Sequence, residues 1–155
     1  MNVFEMVYES WWSSDLSVTC NGTALARLRF GNWKTVGNIS IDKDDYEVLR
    51  EDIFSNRLYL ELDGVQLCQT RIEGFWNQTA SFNLEGVDYR LKWSALSSTA
   101  VLEKDGKEIG TVEPEELFSR GTRAAFLEDL SPLLSVFTLW LVAYKRRRDS
   151  SAAAG

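Results

Sequence analysis

Leu130-Ser131-Pro132-Leu133-Leu134-Ser135-Val136-Phe137-Thr138-Leu139-Trp140-Leu141-Val142-Ala143-Tyr144, followed at once by Lys145-Arg146-Arg147-Arg148, is the stretch from which the fold is read. Ser131 and Pro132 have the chemistry of an N-cap and a first helical position. The helix they open is apolar around every face, relieved only by Ser135 and Thr138. Such a helix must be buried on all sides, in a protein core or in a bilayer. The run Leu130 to Tyr144 is fifteen residues, which at ~1.5 Å per residue reaches roughly 22 Å. A bilayer's hydrocarbon core is about 30 Å thick and wants ~20 apolar residues. Glu128 and Asp129 block extension on one side and the basic cluster on the other. The rest of the chain is therefore expected to wrap a helix.

Working outward, the chain before Leu130 alternates at period two and turns at regular intervals. Leu58, Leu60 and Leu62 lead into Asp63-Gly64, and Val65 and Leu67 follow. A two-residue turn there sets Leu62 against Val65 and Leu60 against Leu67. Glu85-Gly86 likewise sets Leu84 against Val87, Phe82 against Tyr89 and Ala80 against Leu91, and Asp105-Gly106 sets Leu102 against Ile109. The inner-face set is Leu60, Leu62, Val65, Leu67, Phe82, Leu84, Tyr89, Leu91, Leu102 and Ile109. At Asn21-Gly22 a plain two-residue turn would oppose Leu16 and Arg27. One extra residue pairs Cys20 with Ala24, Val18 with Ala26 and Leu16 with Leu28, so a longer loop or a bulge is expected. Trp33, Thr35, Gly37, Ile39 and Ile41 also alternate, with Gly37 marking a bend or a close backbone approach.

Twelve strands follow, roughly 3–9, 15–21, 23–30, 33–41, 46–50, 57–62, 65–72, 78–85, 87–93, 99–104, 107–112 and 120–127. An antiparallel sheet this long must curl, split or close, and closure removes exposed edges. A closed barrel of this size is too wide for its own side chains to fill. The expected fold class is therefore mostly β, a closed antiparallel barrel of about twelve strands wrapped around a hydrophobic C-terminal helix. Residues 1–148 form the single domain, with the helix at about 132–148 and 149–155 a disordered tail. Inside the barrel, Leu133, Phe137, Trp140, Leu141 and Tyr144 should touch strands from throughout the sequence. Ser135 and Thr138 should return their hydroxyls to carbonyls one turn earlier.

This order of elements resembles the tubby C-terminal-like superfamily, whose relatives include the LURP-one-related proteins and the phospholipid scramblases. The resemblance is carried by the charged hairpin Val101-Leu102-Glu103-Lys104-Asp105-Gly106-Lys107-Glu108-Ile109-Gly110-Thr111-Val112. Arg120 and Arg123, the acidic link Glu128-Asp129 and the Leu-rich helix closing on Trp140 and Lys145–Arg148 follow. It implies a small single-domain member with a twelve-stranded barrel around its helix. Tubby domains bind phosphoinositide headgroups through basic residues on the outer wall, and scramblases are associated with lipid movement and calcium. Here residues 1–144 hold 13 basic and 22 acidic residues, a balance of −9, which speaks against a phosphoinositide pocket. The cysteine-rich segment and proline-rich leader of scramblases do not occur in these residues.

Composition narrows the function. Of 155 residues, 45% are hydrophobic and 26% charged, with a net charge of −6, values of a soluble globular domain that argue against nucleic acid. The first residues lack the pattern of a secretory signal. The sequons at Asn21, Asn38 and Asn77 then carry no glycan, and Cys20 and Cys68 read as reduced core residues with no disulfide-linked partner. There is no histidine, which removes the commonest general base and metal ligand. There is also no P-loop, dinucleotide loop or paired-cysteine motif. No catalytic residue, metal ligand or cofactor is assigned. Asp42-Lys43-Asp44-Asp45 is read as a solvated turn, since it lacks the glycine and distal glutamate of a calcium loop.

Three candidate binding features remain. Lys104 and Lys107 oppose each other across Asp105-Gly106, with Glu103 and Glu108 opposed beside them, so the lysines could hold an anion. Trp11-Trp12 breaks strand alternation near a barrel rim, one ring for the core and one for a partner or membrane surface. Lys145, Arg146, Arg147 and Arg148 complement the helix dipole and are also the candidate membrane-surface contact. The expected function is a non-catalytic, cytoplasmic binding module for a lipid headgroup, small ligand or protein, peripheral to the membrane where it meets one. The alternatives are a tail anchor through residues 130–144 and a carboxylate-dependent enzyme.

Overall fold

A computed structural model describes residues 2–10, 14–52, 55–74, 77–93, 98–114 and 121–154. Its strands are β1 (Asn2–Tyr8), β2 (Leu16–Cys20), β3 (Thr23–Phe30), β4 (Thr35–Ile41), β5 (Asp44–Arg50) and β6 (Arg57–Leu62). They continue as β7 (Val65–Glu73), β8 (Thr79–Leu84), β9 (Val87–Trp93), β10 (Ala100–Lys104), β11 (Lys107–Pro114) and β12 (Thr122–Phe126), followed by helix α1 (Pro132–Ala154). Each strand pairs antiparallel with its neighbour in sequence, and β12 pairs back onto β1 to close a barrel. Every strand end lies within two residues of its sequence-based bound.

The tight turns share one cause. Asn21, Asp63, Glu85 and Asp105 have φ of 49–56°, and the glycine after each has φ of 80–83°. Two consecutive positive φ values define the type I′ turn, whose twist matches that of the flanking strands. These turns gather at one end of the barrel, with Asp42-Lys43 and the link from β12 to α1; the longer connections gather at the other. The inner wall is apolar, as Phe4, Leu28, Val48, Leu60, Leu91 and Phe126 illustrate, all buried. The outer wall alternates with charge, as at Glu5, Glu47, Arg90 and Arg123. That is the inverse of a lipid-facing barrel.

Helix α1 fills the lumen. Ser131 caps it, its Oγ accepting from Leu134 N at 3.2 Å. Residues 134–144 are all buried. Phe137 meets Phe82 on β8 edge-on, with ring centroids 5.3 Å apart, and Trp140 meets Phe30 on β3 at 5.9 Å. Ser135 Oγ donates to the Ser131 carbonyl at 3.1 Å and Thr138 Oγ1 to the Leu134 carbonyl at 2.8 Å, the local return expected where water is absent. Among the described residues no helix is long and apolar enough to cross a membrane. The 130–144 segment proposed as an anchor is largely the packed interior.

Several registers differ from the simple reading, and the reason is the bulge. A shift between Leu60 and Glu61 sets Leu60 opposite Cys68 instead of Leu67. Cys68, Thr70 and Ile72 face inward, while Val65 is 62% exposed and Leu67 36%. A shift after Leu102 pairs it with Gly110, and Ile109 stays buried as the extra residue. At Asn21-Gly22 the turn keeps two residues, and a bulge after Val18 produces the Val18–Ala26 and Leu16–Leu28 pairs. In β4 a shift between Thr35 and Gly37 leaves Trp33 outside the strand and 56% exposed. The helix also continues to Ala154, so residues 149–154 are helical instead of a disordered tail.

Gly37 is where backbone and helix meet most closely. A Cβ built there would lie 2.5 Å from Trp140 ring atoms. Trp140 is fully buried and cannot yield, so Gly37→Ala overpacks the lumen. Urea denaturation should show a loss of about 1–3 kcal/mol. A chain ending at Ser131 should show no cooperative thermal transition, because its barrel would enclose a void; a retained transition would make α1 dispensable. Both cysteines are free thiols, and burial pushes the Cys68 thiol up to about 11, a hydrogen bond with Thr70 opposing. The folded chain then keeps a proton that the unfolded chain releases near pH 9, so stability falls as pH rises from about 9 to 11. Between pH 8.5 and 10.5 the wild type should lose about 2 kcal/mol more than Cys68→Ala.

Candidate functional site

The helix leaves the lumen at the loop end with Lys145, Arg146, Arg147 and Arg148. Because α1 runs on to Ala154, this cluster lies before the last turn, where the helix dipole acts. Its contacts are with the barrel rim and with α1 itself. Lys145 Nζ pairs with Asp149 Oδ2 at 2.6 Å and sits 5.7 Å over the Trp93 ring. Arg146 donates through Nη1 to Thr122 Oγ1, while its Nη2 is buried with no partner. Burial lowers the Arg146 pKa, Tyr8 pulling the other way. Arg147 lies 5.0 Å over Phe30, and Arg148 5.7 Å over Tyr144.

The β3–β4 loop faces these arginines and is built tightly. Asn32 Oδ1 accepts from Lys34 N at 2.9 Å and Thr35 N at 3.0 Å, an Asx turn. Gly31 N donates to Val36 O at 3.1 Å, and a Cβ on Gly31 would fall 2.0 Å from the Thr35 carbonyl oxygen. Arg50 Nε donates to the Trp33 carbonyl at 3.0 Å, drawing the end of β5 to the same loop. The result is a pocket of about 410 Å³ walled by the rings of Phe30, Trp33 and Tyr144 and by Arg50, Arg147 and Arg148. No carboxylate lines it among the described residues.

The floor belongs to the core. Phe137 and Trp140 stack at 6.5 Å and 8°, and Trp140 and Tyr144 at 5.0 Å and 11°. This series rises along α1 and ends in the pocket under Arg148. The field points the same way. The turn-end segments 19–24, 40–45, 61–66, 83–88, 103–108 and 127–131 hold twelve carboxylates and three lysines, a net of −9. The whole chain is −6, so the remainder sums to +3. The turn end is the most acidic part of the barrel, and the positive remainder is carried by the strands and by Lys145–Arg148.

The two lysines proposed from sequence lie at the acidic end. Lys104 and Lys107 do oppose each other, and Glu103 opposes Glu108. Lys104 Nζ, however, pairs with Glu128 Oε1 at 3.0 Å, and that hydrogen bond and charge raise its pKa. Lys107 is exposed opposite it, and Glu128 offsets the charge of the pair. Glu103 is taken by Lys92 at 3.1 Å. Trp11, Trp12 and Arg120 lie outside the described residues. A second cavity of about 630 Å³ lies against β8 and β9 and the Asp105-Gly106 turn. Its Asp88 carboxylate accepts from Asn83 Nδ2 at 2.9 Å. Among the described residues no group of three or more metal-ligating side chains converges.

Sequence reasoning missed Phe30, Trp33, Arg50 and Tyr144 as site residues. Phe30-Gly31-Asn32-Trp33-Lys34 could have been read as an aromatic and basic loop; nothing local marks Arg50, which reaches the site only through the β4–β5 pairing. Comparison of the chain with protein families, curated proteins and solved structures finds no match.

Proposed function

We propose that this chain is a non-catalytic binding module that takes an anionic ligand in the rim pocket at its loop end. One observation carries the reading: three arginines converge on an aromatic-walled pocket with no carboxylate to neutralise them among the described residues. Uncompensated guanidinium groups beside flat rings form an anion receptor by composition. The acidic turn end repels anions, and Lys145–Arg148 is the basic cluster that an anion meets away from it. The order of twelve strands and a core helix supports a tubby-like relationship, and with it a cytoplasmic protein that binds a lipid headgroup, a small ligand or an acidic protein segment. The Lys145–Arg148 cluster is the part of such a surface that would meet an anionic membrane.

The test is thermal shift at low ionic strength against inorganic phosphate, pyrophosphate and an aryl phosphate. A ligand at a hundred times its Kd stabilises by about 2.7 kcal/mol, which is about 5–10 °C for a chain of this size. An Arg147→Ala, Arg148→Ala double variant should keep its own transition and lose the response. If none of the anions shifts the wild type, or the variant responds equally, the rim pocket is not an anion site.

A further inference from the structure

We infer that the ligand of the rim pocket is a compact aryl anion, a flat ring carrying one phosphate, sulfonate or carboxylate; this rests on the anion-binding reading above and specifies its ligand. The pocket, about 410 Å³ and open to solvent, has room for more than a bare oxyanion. The ligand that fits it best has a body as well as a charge.

The wall says what kind of body. Trp33 presents an open ring, 56% exposed beside Lys34, while Phe30 and Tyr144 stand behind it in the wall. Arg147 and Arg148 lie over Phe30 and Tyr144, so guanidinium groups add to the same surfaces. Ring and guanidinium faces favour a flat conjugated partner, which gains offset stacking on one and cation–π attraction from the other.

The floor leaves no channel into the barrel for an acyl chain. Tyr144 is buried and stacks on Trp140, and Trp140 in turn abuts Gly37 so closely that one added carbon would collide. The lumen below is filled by α1. The ligand is limited to the rim, with its ring against Trp33 and its anion reaching Arg147, Arg148 and Arg50.

Isothermal titration of the full chain at low ionic strength separates the cases, using inorganic phosphate, n-hexyl phosphate and 1-naphthyl phosphate. The expected order places 1-naphthyl phosphate about tenfold or more tighter than either other probe, the scale of one stacked ring. Trp33→Ala should reduce it to the affinity of inorganic phosphate while leaving phosphate binding unchanged, and Trp33→Phe should retain most of the preference. Equal binding of phosphate and naphthyl phosphate, a preference for hexyl phosphate, or indifference to Trp33→Ala would overturn the aryl assignment and leave the anion pocket standing. Failure of all three probes to bind would overturn the pocket reading itself.

Discussion

Everything in this molecule depends on a helix with no polar face being enclosed by a sheet with no edge. Eleven consecutive residues of α1, Leu134 to Tyr144, are buried. Burying a large apolar side chain contributes about 1.5–3 kcal/mol, and the run includes Phe137, Leu139, Trp140 and Leu141. Without the helix the lumen would be a void lined by apolar side chains; without the wall the helix would expose all of its faces. The fit is made by size as well as polarity. Small residues line the lumen where rings intrude: Gly37 faces Trp140, Gly110 faces Phe126, and Ala80, Ala100 and Ala124 are fully buried between larger neighbours.

Much of this was legible in the residues because its causes are local. The Asn/Asp/Glu-Gly turns dictate their conformation by positive φ, and the helix declares itself by Ser131-Pro132 and by having no wet face. Where the strands depart from the local pattern, a bulge has shifted the register. Val65 and Leu67 continue the apolar alternation, yet the bulge after Leu60 gives the inner positions to Cys68, Thr70 and Ile72. Nothing within that hairpin chooses between the two registers, since both bury one face. Trp33 likewise continues the alternation of β4, yet it lies in the loop before that strand. Gly37 was the exception: a glycine among inward positions signalled a close approach, and the partner is Trp140.

The pocket was less legible than the fold. Its arginines on α1 were visible as a cluster, but read as complementing the end of a helix that in fact runs on to Ala154. Arg50 and Phe30 are twenty residues apart and are brought together by the β3–β4–β5 pairing, which no local pattern reports. The acidic turn end has a partly local origin. Type I′ turns favour Asn, Asp and Gly, which accounts for Asp63 and Asp105; most carboxylates at that end flank the turns instead. The basic tail of α1 leaves at the other end because the helix must cross the whole lumen.

The same crossing joins the candidate site to the core. Phe82, Phe137, Trp140 and Tyr144 form a continuous series of ring contacts from the β8 wall to the pocket floor. Tyr144 cannot tilt without moving Trp140, and Trp140 is held against Gly37. The floor of the pocket is therefore continuous with the packed barrel interior, whereas Trp33, Arg147 and Arg148 at its mouth remain exposed. A packed floor limits the ordering cost of binding, and movable charges at the mouth can follow the anion. Any ligand that uses this floor binds only while α1 is seated in the lumen, so its binding energy adds to the stability of the barrel. The apolar helix that closes the core thus also supplies the floor against which a ligand would be read.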